Sequence, residues 1–183
     1  EVILVSSGAV GAGYTELKLD KTILANKQTL AAIGQPKLMK TYQEMFEEFG
    51  ITVAQMLFIA DDFDSRKRSK NAKNVMEILL QNNVIPIINE NDVIATEELI
   101  GDNDQLAAYI THYFKADMLV ILTDIDGYYD KNPREFSDAK IQKIINEISQ
   151  DELEKKPSAN SKFATGGIVT KLKAADFLMQ KEI

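Results

Sequence analysis

Short apolar runs, each followed by a polar cluster and then by a longer stretch with helical spacing, constrain this chain more than any other feature. "VILV" (residues 2–5), "VIPII" (84–88) and "MLVIL" (118–122) are brief and rich in branched side chains, which suits buried strands better than helices. "ITVAQMLF" (51–58) is a fourth candidate. Pro86 weakens the second assignment, because proline has no N–H to give to a sheet ladder. Between the runs, residues 22–49 place Leu24, Leu30, Ile33, Leu38, Met45 and Phe46 on broadly apolar faces, read as two helices divided near Gly34 and Pro36. "RSKNAKNVMEILLQNN" (68–83) is a further helix. "NDQLAAYITHYF" (103–114) opens with residues suited to a helix N-terminus and then turns apolar. Strands alternating with helices predict right-handed crossovers and a mainly parallel α/β sheet.

That architecture locates a site. In open α/β sheets ligands sit beyond the carboxyl ends of the strands. "SSGA" follows the first run, "NEND" the second and "TDIDG" the third, so all three polar sets are expected along one edge. The stretch from Ile88 to Asp104 holds six carboxylates (Glu90, Asp92, Glu97, Glu98, Asp102 and Asp104), and its expected position is facing a ligand. Ordinary polar turns are the plainer alternative.

Composition narrows the partners. A length of 183 residues with 45% hydrophobic content is enough for one sizeable core, so one domain is the expectation. A net charge of −7 argues against a sequence-independent grip on nucleic acid. With no cysteine, disulfides, thiolate zinc sites and a cysteine nucleophile are excluded, which suits a reducing cytosol. His112 is the only histidine, so histidine-dependent triads and multi-histidine metal sites are excluded too. No apolar stretch approaches the roughly 20 residues a membrane helix needs, and a soluble, cytoplasmic protein is expected. Both edges look cut: the chain opens inside a strand, without a methionine, and closes at the end of an amphipathic helix.

Several motifs admit two readings. "SSGAVGAG" (6–13) resembles a glycine-rich phosphate loop but matches neither common pattern, and its glycines could equally let a helix pack closely. Such a loop can offer backbone N–H groups and a serine hydroxyl to a carboxylate or a phosphate. "ATGGIVTKLKAADFL" (164–178) feeds a helix whose first turn is expected to hold Thr170 and Lys171, so donors, a hydroxyl and an ammonium converge where phosphate could sit. A plain helix cap needs only one of these features. "TDIDGYYDKNPR" (123–134) lacks the spacing and closing glutamate of a calcium loop. "RKRSK" (66–70) reads as a solvated helix face, and His112 as a packed or interfacial residue. "EKKPSANSKFATGG" (154–167) reads as a mobile surface loop.

Taken together, "ANKQTLAAIGQPKLM", "NENDVIAT", "GDNDQLAA", "ILTDIDGYYDKNPR" and "ATGGIVTKLKAA" resemble, in order and spacing, the glutamate 5-kinase branch of the amino-acid kinase family. The "TDIDGYYDKNPR" element is shared across that superfamily, whereas the "NENDVIAT" and "GDND" pair and "KQTLAAIGQ" are specific to the branch. The resemblance spans nearly the whole chain. It implies a three-layer αβα sandwich of the amino-acid kinase (carbamate kinase-like) type. It also implies ATP-dependent phosphorylation of the γ-carboxylate of L-glutamate, with magnesium brought by ATP, a homo-oligomer and feedback inhibition by proline.

Carried over residue by residue, the resemblance places Ser7 with the Gly8 and Ala9 backbone in the amino-acid pocket. Asp92 and Asn103 resemble the residues that hold the substrate's amino and carboxylate ends. Asp104, with Asp102 beside it, resembles the acidic group that orients catalytic lysines, and Lys171 the lysine that stabilises the transferring phosphoryl group. Thr123, Asp124, Thr165, Gly166, Gly167, Ile168, Val169, Thr170 and Lys171 resemble nucleotide contacts. Glu97 and Glu98 are read as a mobile solvated connection over the pocket. No protein metal ligand is implied.

Against the family pattern, the first strand with its phosphate-holding lysine and the strand after the final helix have no counterpart here. "ELIGDND" is slightly short, and Ala164 and Val169 stand where the family often has glycine and serine. The RNA-modification-type domain attached to some relatives is absent from these residues. The alternatives are another amino-acid kinase, such as one acting on acetylglutamate, and a non-catalytic sensor of the same fold.

Overall fold

The structure, a computed structural model, describes residues 1–95, 103–123, 126–131, 133, 135–154 and 166–183. Its sheet is built from β1 (Leu4–Val5), β2 (Val53–Phe58) and β3 (Ile85–Glu90), ordered β1-β3-β2 and parallel throughout. Leu4 pairs with Ile87, and Val53 through Phe58 pair with Ile85 through Glu90. Successive strand residues face opposite sides. Ile87 and Ile88 are 1% and 0% exposed, so both faces of β3 are covered.

Pro86 sits in this central strand, and the ladder explains how. Ile85 N–H donates to Thr52 across to β2, whereas Ser6 N–H donates to Ile88 O from the β1 side. Backbone groups in a parallel strand alternate sides, so those of Pro86 face β1, where pairing starts only at Ile87. The missing N–H falls just before that ladder begins, and no bond is lost.

Residues 22–49 form one helix where two were expected. After α1 (Ala9–Glu16), α2 (Leu24–Glu47) runs unbroken through Gly34 and Pro36. Pro36 removes only the bond to the carbonyl of Ala32, and both residues are exposed, so water can replace it. Gly34 is a contact point instead of a break. A Cβ there would lie 1.7 Å from Ala9 O, and one on Gly13 would lie 1.9 Å from Leu30 O. The two helices cross at backbone contact, over a buried Ala9 and Leu30.

The next segments follow the expected pattern: α3 (Ala60–Asp64), α4 (Arg66–Gln81) and α5 (Asn103–Tyr113). Ser65 caps α4 by accepting from Arg68 N–H, and residues 66–68 and 70 are exposed, as a solvated face requires. Phe58, Phe63, Met76, Ile88, Leu106 and Ile110 form the main core, binding α3, α4 and α5 to one face of the sheet. Losing a fully buried leucine such as Leu106 to alanine costs roughly 2–5 kcal/mol. His112 packs edge-on to Tyr113 and Phe177, within that aromatic layer.

"MLVIL" is corrected. Residues 118–122 enter no ladder among the described residues, although Leu119 and Ile121 pack on a cluster of Ala108, Ala174 and Leu178. Met118, Val120 and Leu122 point the other way and are 72%, 63% and 85% exposed. Alternation is present, but apolar alternation alone does not supply a pairing partner. α6 (Gln150–Leu153) and α7 (Gly166–Met179) complete the described elements, and no helix is long and apolar enough to cross a membrane.

Candidate active site

Because β1 and β3 run parallel, the chain leaves both at the same edge, and there the cleft forms. After β1 come Ser6, Ser7 and Gly8. Gly8 has φ of 113°, a conformation that side chains rarely adopt, and it starts α1 without a side-chain cap. Ala12 N–H closes the first turn on Gly8 O at 2.8 Å. The amides of Ala9, Val10 and Gly11 have no partner within the helix by its geometry, and all three residues line the cleft. Ser7 and Gly8 line it as well, so residues 7–11 of "SSGAVGAG" face the cleft while Gly13 serves close packing. The close-packing reading holds at Gly13, while Gly8 and Gly11 line the cleft.

After β3 come Asn89, Glu90 and Asp92, again on the cleft wall. Asn89 is 2% exposed, and both ends of its amide are engaged: its Nδ2 donates to Gln35 Oε1 at 2.9 Å, and its oxygen accepts from Glu90 N–H at 2.9 Å and from Asn103 Nδ2 at 3.0 Å. Gln35 in turn donates to Gln55 on β2. Asp92 sits in a turn where Asn91 O accepts from Ile94 and Ala95 N–H. The cleft measures about 320 Å³, within the range of small-molecule sites. Lys27, from the first turns of α2, is the cation on its wall among the described residues.

Asn103 begins α5 and ties the two strand ends together. Its Nδ2 donates to Ser6 O at 2.7 Å and to Asn89 Oδ1 at 3.0 Å. Both amide protons are thereby engaged by protein oxygens, so the side-chain group that Asn103 can turn to a ligand is its carbonyl oxygen, an acceptor. Ser6, buried, is held from behind by Tyr42 at 2.8 Å.

The next residue, Asp104, turns elsewhere. Its Oδ2 accepts from Lys171 Nζ at 2.8 Å and faces Thr170 Oγ1 at 3.3 Å, with the two charged side chains 14% and 25% exposed. Asp104 lies in the first turn of α5, where the helix dipole favours a carboxylate. Burial and the short bond hold the lysine ammonium in one place, which a surface pair does not do. α7 begins at Gly166, so Thr170 and Lys171 occupy its second turn, one turn later than the sequence suggested.

Of the expected residues, Ser7, Gly8, Ala9, Asp92 and Asn103 share the cleft, and Asp104 and Lys171 are paired beside it. Thr123 is exposed at the end of the 118–123 segment, and Gly166 to Thr170 form the start of α7. Asp102, Asp124 and Thr165 lie outside the described residues, as do Glu97, Glu98 and most of the 154–167 loop. Sequence reasoning gave no role to Asn89, Gln35, Tyr42, Glu90 or Lys27. A polar residue ending an apolar strand run was the available signal for Asn89. Further along, the "TDIDGYYDKNPR" segment is clipped to α6: Tyr128 O–H donates to Glu152 Oε1 at 2.6 Å. Burial, then that bond, push the Tyr128 phenol up to about 12.

A parallel sheet with a glycine-led helix at its carboxyl edge and a carboxylate-anchored lysine beside the cleft is suited to phosphoryl transfer to a small acceptor. Over residues 1–183 the chain matches the amino acid kinase family, and it belongs to that family. Its similar relatives give the branch: glutamate 5-kinase of Wolinella succinogenes is 60% identical over 99% of this chain and 71% of its own length. Those of Helicobacter hepaticus and Leishmania donovani are 55% and 56% identical, over 100% and 99% of this chain and 69% of theirs.

Proposed function

We propose that this chain transfers the γ-phosphoryl group of ATP to the γ-carboxylate of L-glutamate, giving L-glutamyl 5-phosphate, the first step of proline biosynthesis. One observation carries the mechanism: Asn103 and Asp104 are consecutive, one lining the cleft and the other gripping Lys171. A single helix start thus supports both the substrate and the phosphoryl assignments.

A glutamate side chain has a pKa of about 4.3, so at neutral pH it is already an anionic nucleophile and needs no general base. A γ-carboxylate oxygen attacks the γ-phosphorus; the bond from that phosphorus to the oxygen of ADP breaks, and ADP leaves with the electron pair. Positioning and charge neutralisation then dominate the rate. Lys171 is placed to stabilise the transferring oxygens, with Asp104 setting its position. Ser7 and the amides at Gly8 and Ala9 receive the acceptor carboxylate, and Asp92 pairs with the substrate ammonium, which needs a counter-charge in a partly dry cleft.

The nucleotide is assigned, on the resemblance, to Thr123 and Gly166 to Thr170, with Asp124 and Thr165 assigned from the sequence alone. Magnesium bound with ATP would supply further charge neutralisation; among the described residues no cluster of acidic or histidine side chains is placed to hold a metal ion. The family's three-layer αβα arrangement is supported by the double-sided burial of β3. Cytoplasmic location, homo-oligomer assembly and proline feedback complete the reading.

The test is acyl-phosphate trapping. The protein with ATP, magnesium, glutamate and hydroxylamine is expected to yield the γ-hydroxamate. Turnover with acetylglutamate but none with glutamate would assign it to that other amino-acid kinase, and binding without turnover would make it a sensor.

A further inference from the structure

We propose that Lys27 is the residue that recognises the α-carboxylate of the substrate. The inference rests on the glutamate reading above and deepens it. Glutamate brings two carboxylates and one ammonium into a cleft whose wall already holds two acids, Glu90 and Asp92. Asp92 matches the ammonium. The reacting carboxylate is assigned to the α1 amides, and Asn103 on the same cleft wall is followed by Asp104, which holds Lys171. The remaining carboxylate needs a donor, and Asn103 cannot supply one from its side chain, since both its amide protons go to Ser6 and Asn89.

Lys27 answers that need. It is half-buried, it lines the cleft, and its turn of α2 is anchored to the Asp92 loop, because the neighbouring Gln28 donates from Nε2 to Ala95 O at 3.2 Å. Ammonium and carboxylate thus come from two connected segments, matching the α-amino-acid end of the ligand as a pair. The competing role for Lys27 is to balance the acidic wall without touching substrate.

The two roles separate by substrate ratio. For the wild-type chain and for Lys27→Gln, kcat/KM is measured with glutamate and with its α-amide, which keeps the ammonium and γ-carboxylate but lacks the α charge. A ratio taken within one preparation does not depend on how much of it is folded. Removing a charge-assisted hydrogen bond is expected to lower kcat/KM for glutamate roughly 10- to 100-fold while leaving the α-amide nearly unchanged. Lys27→Arg should keep the wild-type preference within a few-fold. Equal losses with both substrates, or an unchanged ratio, would overturn the inference while leaving glutamate phosphorylation standing. Absence of any glutamate hydroxamate from the wild-type chain would instead remove the functional reading, and the role of Lys27 with it.

Discussion

Lys171 Nζ lies 2.8 Å from Asp104 Oδ2, in a pair that is largely withdrawn from solvent and that links α7 to the start of α5. Such a bond fixes an ammonium where a flexible lysine would wander. Asp104→Asn removes the charge that holds it while preserving shape. Turnover is expected to fall on the order of 10²-fold, as for other displaced transition-state donors. Lys171→Met should cost at least as much, and the double variant little more than the worse single one, because the two act as a unit. Steady-state kinetics of the three variants check this. Losses that multiply would show that the residues act independently.

Asp92→Asn tests the other end of the cleft. Its carboxylate is assigned to the substrate ammonium, so the glutamate KM should rise far more than the ATP KM, by roughly 10- to 100-fold for a lost charge-assisted contact. Equal effects on both constants would remove that assignment.

Gly34→Ala probes the helix crossing. An added Cβ would fall 1.7 Å from Ala9 O, so α1 and α2 must move apart. Overpacking of this kind costs roughly 1–3 kcal/mol, read as a lower denaturant midpoint. The glutamate KM should rise as well, because α1 supplies Ala9 to Gly11 and α2 supplies Lys27 to the same cleft.

Tyr128 gives a pH signature. Its phenol is raised from 10.0 to about 12 by burial and by its bond to Glu152, so between those values the folded chain keeps a proton that the unfolded chain releases. Folding is then favoured less as pH climbs through that window. Tyr128→Phe should flatten the fall in stability between about pH 10 and about pH 12, measured by chemical denaturation. An unchanged slope would show that Tyr128 titrates alike in both states.

The strands and the site edge were legible because they depend on local pattern. Residues 53–58 and 85–90 are largely apolar runs, the second ended by Asn89 and Glu90, and parallel strands must release their carboxyl ends at one edge. The break expected near Gly34 and Pro36 did not occur, because the backbone contact of Gly34 with Ala9 is tertiary and the proline faces solvent. Residues 118–122 alternate as a strand should, yet pairing depends on a neighbour that periodicity cannot reveal. Asp92 and Asp104 were separable in function by resemblance. The amide network from Gln55 through Gln35 and Asn89 to Asn103 was not, since it joins four segments distant in sequence. Lys27 escaped for the same reason: it reaches the cleft from a helix that starts far from the strand ends.

The most direct test of the account follows the oxygen. Glutamate carrying ¹⁸O in its γ-carboxylate is incubated with the protein, ATP, magnesium and hydroxylamine, and the phosphate released with the hydroxamate is analysed by mass. Attack by the γ-carboxylate on phosphorus puts one labelled oxygen into the phosphate bridge, and hydroxylamine attack at the acyl carbon releases it in the phosphate. One ¹⁸O per hydroxamate formed is the expected result. Unlabelled phosphate, formed whether or not glutamate is present, would mean that water is the acceptor and that the cleft does not direct a carboxylate to phosphorus.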